Sequence, residues 1–118
     1  MIYGVGVDMA SISRVEKACA GPRFLEKYYS PREIELYSSS PARLTANFAA
    51  KEAFGKALGT GVRGFSMREV SLLRDELGKP YYEFSGRAEE IVESRGLRCH
   101  VSVTDEGDKV VVFTVIEA

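Results

Sequence analysis

Apolar positions recur along this chain with two different periods, and the changes between them mark out its elements. Residues 2–8 (IYGVGVD) alternate glycine with β-branched or aromatic residues, the pattern of a buried strand with Asp8 at its C-terminal end. From about Ser11 the period lengthens. Ile12, Val15 and Cys19 fall on one face and Arg14 and Lys17 on the other, which predicts a helix to Ala20, broken by Gly21-Pro22. Arg23 to Tyr29 predicts a short helical segment. Ser30-Pro31-Arg32-Glu33 is a capping box with proline at the first helical position, and it opens a helix carrying Ile34 and Tyr37. Ser40-Pro41 repeats that start signal before a long helix, about Ala42 to Leu58. The second half switches to strand signals. Val70 to Leu73 and Tyr81 to Phe84 flank a turn at Asp75-Glu76-Leu77-Gly78. Ser85 then caps an amphipathic helix with Ala88, Ile91 and Val92, closed by Gly96, and Cys99 to Thr104 and Lys109 to Ile116 form a final hairpin. The pattern predicts an α+β fold, a mostly antiparallel sheet packed on one long helix. At 118 residues without repeat, linker or low-complexity segment, it predicts a single domain, 1–118.

The long helix carries the candidate chemistry. Between Asn47 and Leu58 it is rich in Ala and Phe, so most of its sides should be buried, yet it holds Lys51, Glu52 and Lys56. Glu52 and Lys56 lie one turn apart on the same face, and Arg43, Asn47 and Lys51 form a second polar row at four-residue spacing. Two polar rows on an apolar helix imply two polar surroundings. The helix stops at Gly59-Thr60-Gly61, a flexible turn with open backbone amides. A carboxylate, a lysine one turn on and such a turn suit a site for metal and phosphate. An internal Glu52–Lys56 pair with a glycine C-cap accounts for the same residues. Asp8 is placed for function at a strand end, or for capping the following helix.

Composition narrows the classes. A net charge of −1 with both signs mixed argues against nucleic acid, whose binders show a strongly basic face. No apolar run approaches membrane-spanning length, and the start (Met1-Ile2-Tyr3-Gly4) lacks a basic segment followed by an apolar one, so the expectation is a soluble cytoplasmic protein without membrane contact. Two distant cysteines, Cys19 and Cys99, and a single His100 make a zinc site untenable and suggest reduced structural thiols. GVGVDM fails as a dinucleotide motif, because Met9 stands where a third glycine is needed.

Five motifs in order, GVDMASISR (6–14), RFLEKYYSPRE (23–33), FAAKEAFGKALGTG (48–61), GKP (78–80) and HVSVT (100–104), resemble the holo-acyl-carrier-protein synthases, the small 4′-phosphopantetheinyl transferases. The main departure is Asn47, where many members carry an arginine that helps hold the cofactor's phosphates. The resemblance implies transfer of phosphopantetheine from coenzyme A to a serine of apo-acyl carrier protein, with Mg2+, in a homotrimer whose active sites lie between subunits. It implies fatty acid biosynthesis as the setting. Asp8 and Glu52 would be the metal carboxylates. Lys56 would join them in catalysis by neutralising the pyrophosphate, and Gly59, Thr60 and Gly61 would approach phosphate with backbone amides. Arg43, Asn47, Pro80, His100, Ser102 and Thr104 would contact coenzyme A. Arg14, Arg23 and Phe24 would meet the acidic carrier protein. The base is left open between a metal-bound water and a metal carboxylate acting through it. A non-catalytic coenzyme A-binding module of the same fold would be favoured by loss of Asp8 or Glu52, and both are present.

Overall fold

Serine and proline signals set most of the boundaries. In the computed structural model, which describes residues 1–118, the order is β1 (Ile2–Ser11), α1 (Ile12–Ala18), α2 (Pro22–Tyr28), α3 (Pro31–Tyr37), α4 (Pro41–Leu58), β2 (Val70–Arg74), β3 (Pro80–Phe84), α5 (Gly86–Ser94), β4 (Arg98–Glu106) and β5 (Lys109–Glu117). The Ser30 capping box forms as expected, with proline at the first turn, and Ser40 accepts from the Arg43 amide at the head of α4. Ser85 occupies the cap position of α5 without using its side chain. The Glu69 carboxylate accepts the Arg87 amide instead, from the 3-10 turn Met67–Glu69, which the pattern did not foretell.

Every strand pairing is antiparallel, but there are two sheets where one was expected: β1-β5-β4 and the hairpin β2-β3. Strand β1 also outruns its expected end. The hairpin partner β5 begins at Lys109, opposite Ser11, so pairing continues three residues beyond Asp8. Asp8 therefore lies inside the strand, paired with Val112, and Ser11 is the residue that caps α1. Asp108 locks that corner by accepting from the Ser11 and Ser13 hydroxyls at 2.6 and 2.8 Å.

The period-two alternation of β1 assigns its faces. Gly4, Gly6 and Asp8 face α4. A Cβ on Gly4 would stand 1.9 Å from the Ala57 carbonyl oxygen, and one on Gly6 2.1 Å from that of Ala53, so helix and strand meet backbone to backbone. The other face is open: Val5, Val7 and Met9 are 55%, 53% and 62% exposed, beside Phe113 of β5 at 45%. The strand expected to be buried is thus buried on one side only.

Helix α4 is covered as its composition predicts, with twelve of its eighteen residues buried. Two of the expected second polar row, Asn47 and Lys51, enter a sealed network, while Arg43 stays exposed. Lys51 and Glu33 are both fully buried and paired, and the Lys51 ammonium also donates to the Met67 and Val70 carbonyls. Glu33 further accepts from Ser30 N, Leu72 N and Asn47 Nδ2, so its two oxygens tie α3, α4 and β2 together. No helix is long and apolar enough to cross a membrane.

Candidate active site

Three of the expected site residues converge between β1 and α4. Lys56 donates from Nζ to Asp8 Oδ1 and to the Val7 carbonyl, both at 3.0 Å. The Asp8 side chain is largely covered, whereas that of Lys56 is half exposed, leaving the cation open to a further anion. The internal Glu52–Lys56 pair is not formed; the lysine reaches across to the strand. Burial raises the Glu52 pKa above the usual glutamate value, and the Asp8 carboxylate adds to the rise while Lys56 opposes it. A carboxylate whose ionisation is made costly by burial and by a neighbouring carboxylate is a ready ligand for a cation. No third His, Cys, Asp or Glu joins them. Two hard oxygen donors without nitrogen or sulfur fit Mg2+, which takes few carboxylates and completes its shell with water and substrate oxygen.

Glu52 opens into a cavity of about 500 Å³ that also takes in Arg14, Phe24, Phe48 and Lys109. The structure thus joins two expected carrier-protein residues to an expected metal ligand. Arg23 is exposed and outside that lining. Phe24 is half-buried, its ring tilted against those of Tyr28, Tyr29 and Phe48 with centroids 4.7 to 6.3 Å apart.

The Gly59-Thr60-Gly61 turn differs from its expectation. Gly59 ends α4 in the left-handed region at φ 88°, and its amide donates to the Lys56 carbonyl. The Gly61 amide donates back to the Gly55 carbonyl at 3.0 Å. Of the three amides only that of Thr60 has no such partner, because closing the helix uses the other two.

The remaining candidates lie elsewhere. Asn47 is fully buried, donating to Glu33 and Leu72 and accepting from Arg74 Nη2 at 3.0 Å, so it presents nothing to a ligand. Arg43 and Pro80 line a second cavity, of about 320 Å³, together with Arg74 and Asp105. Sequence reading missed Arg74. The signal was its register: Arg74 is the residue opposite Pro80 across the β2-β3 hairpin. His100, Ser102 and Thr104 alternate along the outer face of β4, opposite Val115, Phe113 and Val111. His100 Nε2 lies 2.6 Å from Glu117 Oε1, and that contact, helped by Arg98, holds the Glu117 carboxyl below its usual pKa. This face points away from α4, so His100 of one chain does not share a site with its own Asp8.

The sequence pattern of the 4′-phosphopantetheinyl transferase superfamily matches residues 4–110. A holo-[acyl-carrier-protein] synthase of Lachnoclostridium phytofermentans is 42% identical over 118 residues, covering 99% of this chain and 97% of the relative. One from an Azoarcus species is 44% identical over 123 residues, covering 99% and 98%. Among solved structures, the holo-[acyl-carrier-protein] synthase of Neisseria meningitidis superposes with a TM-score of 0.90 at 36% identity, covering 100% of both chains. That of Helicobacter pylori, in complex with coenzyme A, gives 0.85 at 26% identity, covering 96% of this chain and 99% of the other. With a family match over most of its length and relatives over nearly all of it, the chain belongs to the holo-[acyl-carrier-protein] synthases of the 4′-phosphopantetheinyl transferase superfamily.

Proposed function

We propose that this chain transfers 4′-phosphopantetheine from coenzyme A to a serine of apo-acyl carrier protein, releasing adenosine 3′,5′-bisphosphate. It would do so in the cytoplasm and in support of fatty acid biosynthesis. The observation that carries the reading is the pair Asp8 and Glu52 beside a half-exposed Lys56, with Glu52 lining a cavity that Arg14 shares. Asp8 and Glu52 would hold Mg2+, which when bound supplies positive charge against the pyrophosphate.

Phosphoryl transfer asks a protein mainly for positioning and charge neutralisation. Lys56 is pinned at its ammonium by Asp8 and the Val7 carbonyl, so its remaining proton is aimed and not free to wander. It meets the pyrophosphate and steadies the charge that grows on the departing bisphosphate. The free Thr60 amide adds a neutral donor beside it. Arg14 gives the acidic carrier an opposite charge at the rim of the cavity that leads to Glu52.

The assembly is part of the proposal. Val5, Val7, Met9 and Phe113 leave an apolar face on β1-β5-β4 that a homotrimer would cover. His100, Ser102 and Thr104 border it and would serve a neighbour's coenzyme A in sites between subunits. The test is incubation with coenzyme A, Mg2+ and an apo-carrier protein, read by intact mass. The carrier should gain one phosphopantetheine, chelation should stop the gain and Mg2+ should restore it. An unmodified carrier refutes the transferase reading, and transfer indifferent to chelation refutes the metal assignment.

A further inference from the structure

The first turn of α1 is held from the far end of the chain. A helix begins with amides that have no partner inside it, and α1 satisfies its first three through Asp108 and Ser11. The Ile12 amide donates to the Asp108 carbonyl at 2.8 Å, and the Ser13 amide donates to Asp108 Oδ1 at 2.9 Å. The Arg14 amide donates to Ser11 Oγ at 3.3 Å, and that hydroxyl donates in turn to Asp108 Oδ2 at 2.6 Å. The Ser13 hydroxyl donates to the same oxygen at 2.8 Å. The bonds from Ser11 and Ser13 hold the Asp108 carboxyl below its usual pKa, so the acceptor is charged at neutral pH. The helix's own resources are thin. Of its seven residues only Val15 is buried, and none in its first turn is acidic. Arg14 lies in that first turn, exposed and without an ion pair in the chain, and lines the cavity of Glu52.

We propose that Asp108 is a positioning residue for the carrier protein: from the β4-β5 turn it fixes the first turn of α1 and so aims Arg14 across the cavity that holds Glu52. This rests on the transferase reading above, with Arg14 meeting the carrier. Lys109, the next residue of the turn, lines the same cavity, so one turn sets both cations that an acidic partner would meet there. The sign of the effect separates this role from that of a surface charge. A bare carboxylate beside the docking face repels an acidic partner, and its loss should tighten binding. Loss of a clamp on α1 should weaken it.

Transfer to an apo-carrier protein is measured for wild type, Asp108→Ala, Asp108→Asn, Arg14→Ala and the double variant Asp108→Ala with Arg14→Ala. Asp108→Ala should raise the KM for the carrier about three- to tenfold, as a misaimed contact does, and leave kcat and the KM for coenzyme A within about twofold. Asp108→Asn keeps an oxygen for the Ser13 amide and offers its NH2 to the two hydroxyls, so its carrier KM should stay at or below that of wild type. The double variant should be no worse than Arg14→Ala, because the clamp acts through the arginine. A carrier KM unchanged or lowered in Asp108→Ala, or an equal rise for both substrates, overturns the assignment. So does an asparagine variant as poor as the alanine one, or a double variant whose losses add. If Asp108→Ala does not fold, Ser13→Ala carries the test by deleting one bond to the carboxylate and no charge. Its carrier KM should rise about twofold or more while that for coenzyme A holds, and no such split overturns the assignment. The two readings fail separately: an unmodified carrier with wild type removes the transferase reading, whereas normal wild-type transfer with any of these contrary results removes the Asp108 assignment.

Discussion

Replacing Lys51 by Met should cost this protein much of its stability. The side chain is fully buried and gives its three protons to Glu33, Met67 O and Val70 O. Met fills nearly the same volume, so little cavity opens, and the loss is electrostatic. Glu33 keeps three N–H donors, from Ser30 at 2.9 Å, Asn47 at 2.7 Å and Leu72 at 3.2 Å, but loses its only direct cation. Removing one partner of a buried pair costs about 3 to 5 kcal/mol, because the other charge is stranded. For a chain of this length that is a fall in Tm of about 10 to 20 °C, compared at one protomer concentration. Urea unfolding of Lys51→Met, Glu33→Gln and the double variant measures the coupling. Glutamine at 33 still accepts the Ser30 amide while removing the charge, so the double variant should be more stable than Lys51→Met alone. A Lys51→Met loss below about 1 kcal/mol, or a double variant as poor as the sum of the singles, would refute the argument.

Asp8→Ala or Glu52→Ala should abolish transfer with the fold intact, and near-wild-type turnover of both at limiting Mg2+ would reject them as ligands. Because the Glu52 pKa is raised, chiefly by burial and next by Asp8, its ionisation works against the metal-free fold as pH rises through that pKa. Glu52→Gln should therefore melt higher than wild type at neutral pH without metal. Arg14→Glu should raise the KM for carrier protein at least tenfold and leave that for coenzyme A nearly unchanged, with a flatter salt dependence; equal effects on both would make Arg14 an ordinary surface charge. Val7→Glu on the open sheet face should give a monomer by light scattering with little transfer, and a fully active monomer would contradict the shared-site reading.

How legible each part was depends on the range of the forces that fix it. The starts of α3 and α4 were legible because a serine hydroxyl and a proline ring act within three residues. The burial of α4 was legible from its alanines, which cover no face with charge. Its polar groups were legible as a problem and not as a solution. Lys51 plainly needed a partner, but the partner is Glu33, a residue that already had a complete local role in its capping box. Helical spacing left Lys56 open to an internal pair with Glu52 or to a ligand's phosphate, and it is Asp8 that takes it, from a strand 48 residues away. The turn amides of Gly59 and Gly61 were misjudged for a related reason: glycine permits a close approach to phosphate, and here the same freedom lets the chain fold back on Gly55. The extension of β1 to Ser11 depended on where its distant hairpin partner begins.

The alternation of β1 ties chemistry to assembly more tightly than either alone would suggest. Odd positions 5, 7 and 9 put Val, Val and Met outward, and even positions 4, 6 and 8 put two glycines and Asp8 against α4. A slip of one residue would exchange the faces. Val7 would then meet the backbone of Ala53 and Ala57, where even one added carbon lies within about 2 to 3 Å of it, and Asp8 would leave Lys56. Close packing on one side therefore fixes the carboxylate toward the helix and, by the same register, the apolar residues toward solvent. Those residues lie next to β5 and, beyond it, to His100, Ser102 and Thr104 on β4. Within a single chain the sheet itself separates that polar row from Asp8. A site that uses both must draw them from different copies, and the apolar face of β1 is what would bring the copies together. On this argument a substitution that only disperses the assembly should lose transfer as thoroughly as one that removes Asp8. Mixing an Asp8→Ala chain with a His100→Ala chain should then recover part of the activity that each lacks, and no recovery in mixed assemblies would place both residues in the same chain's site.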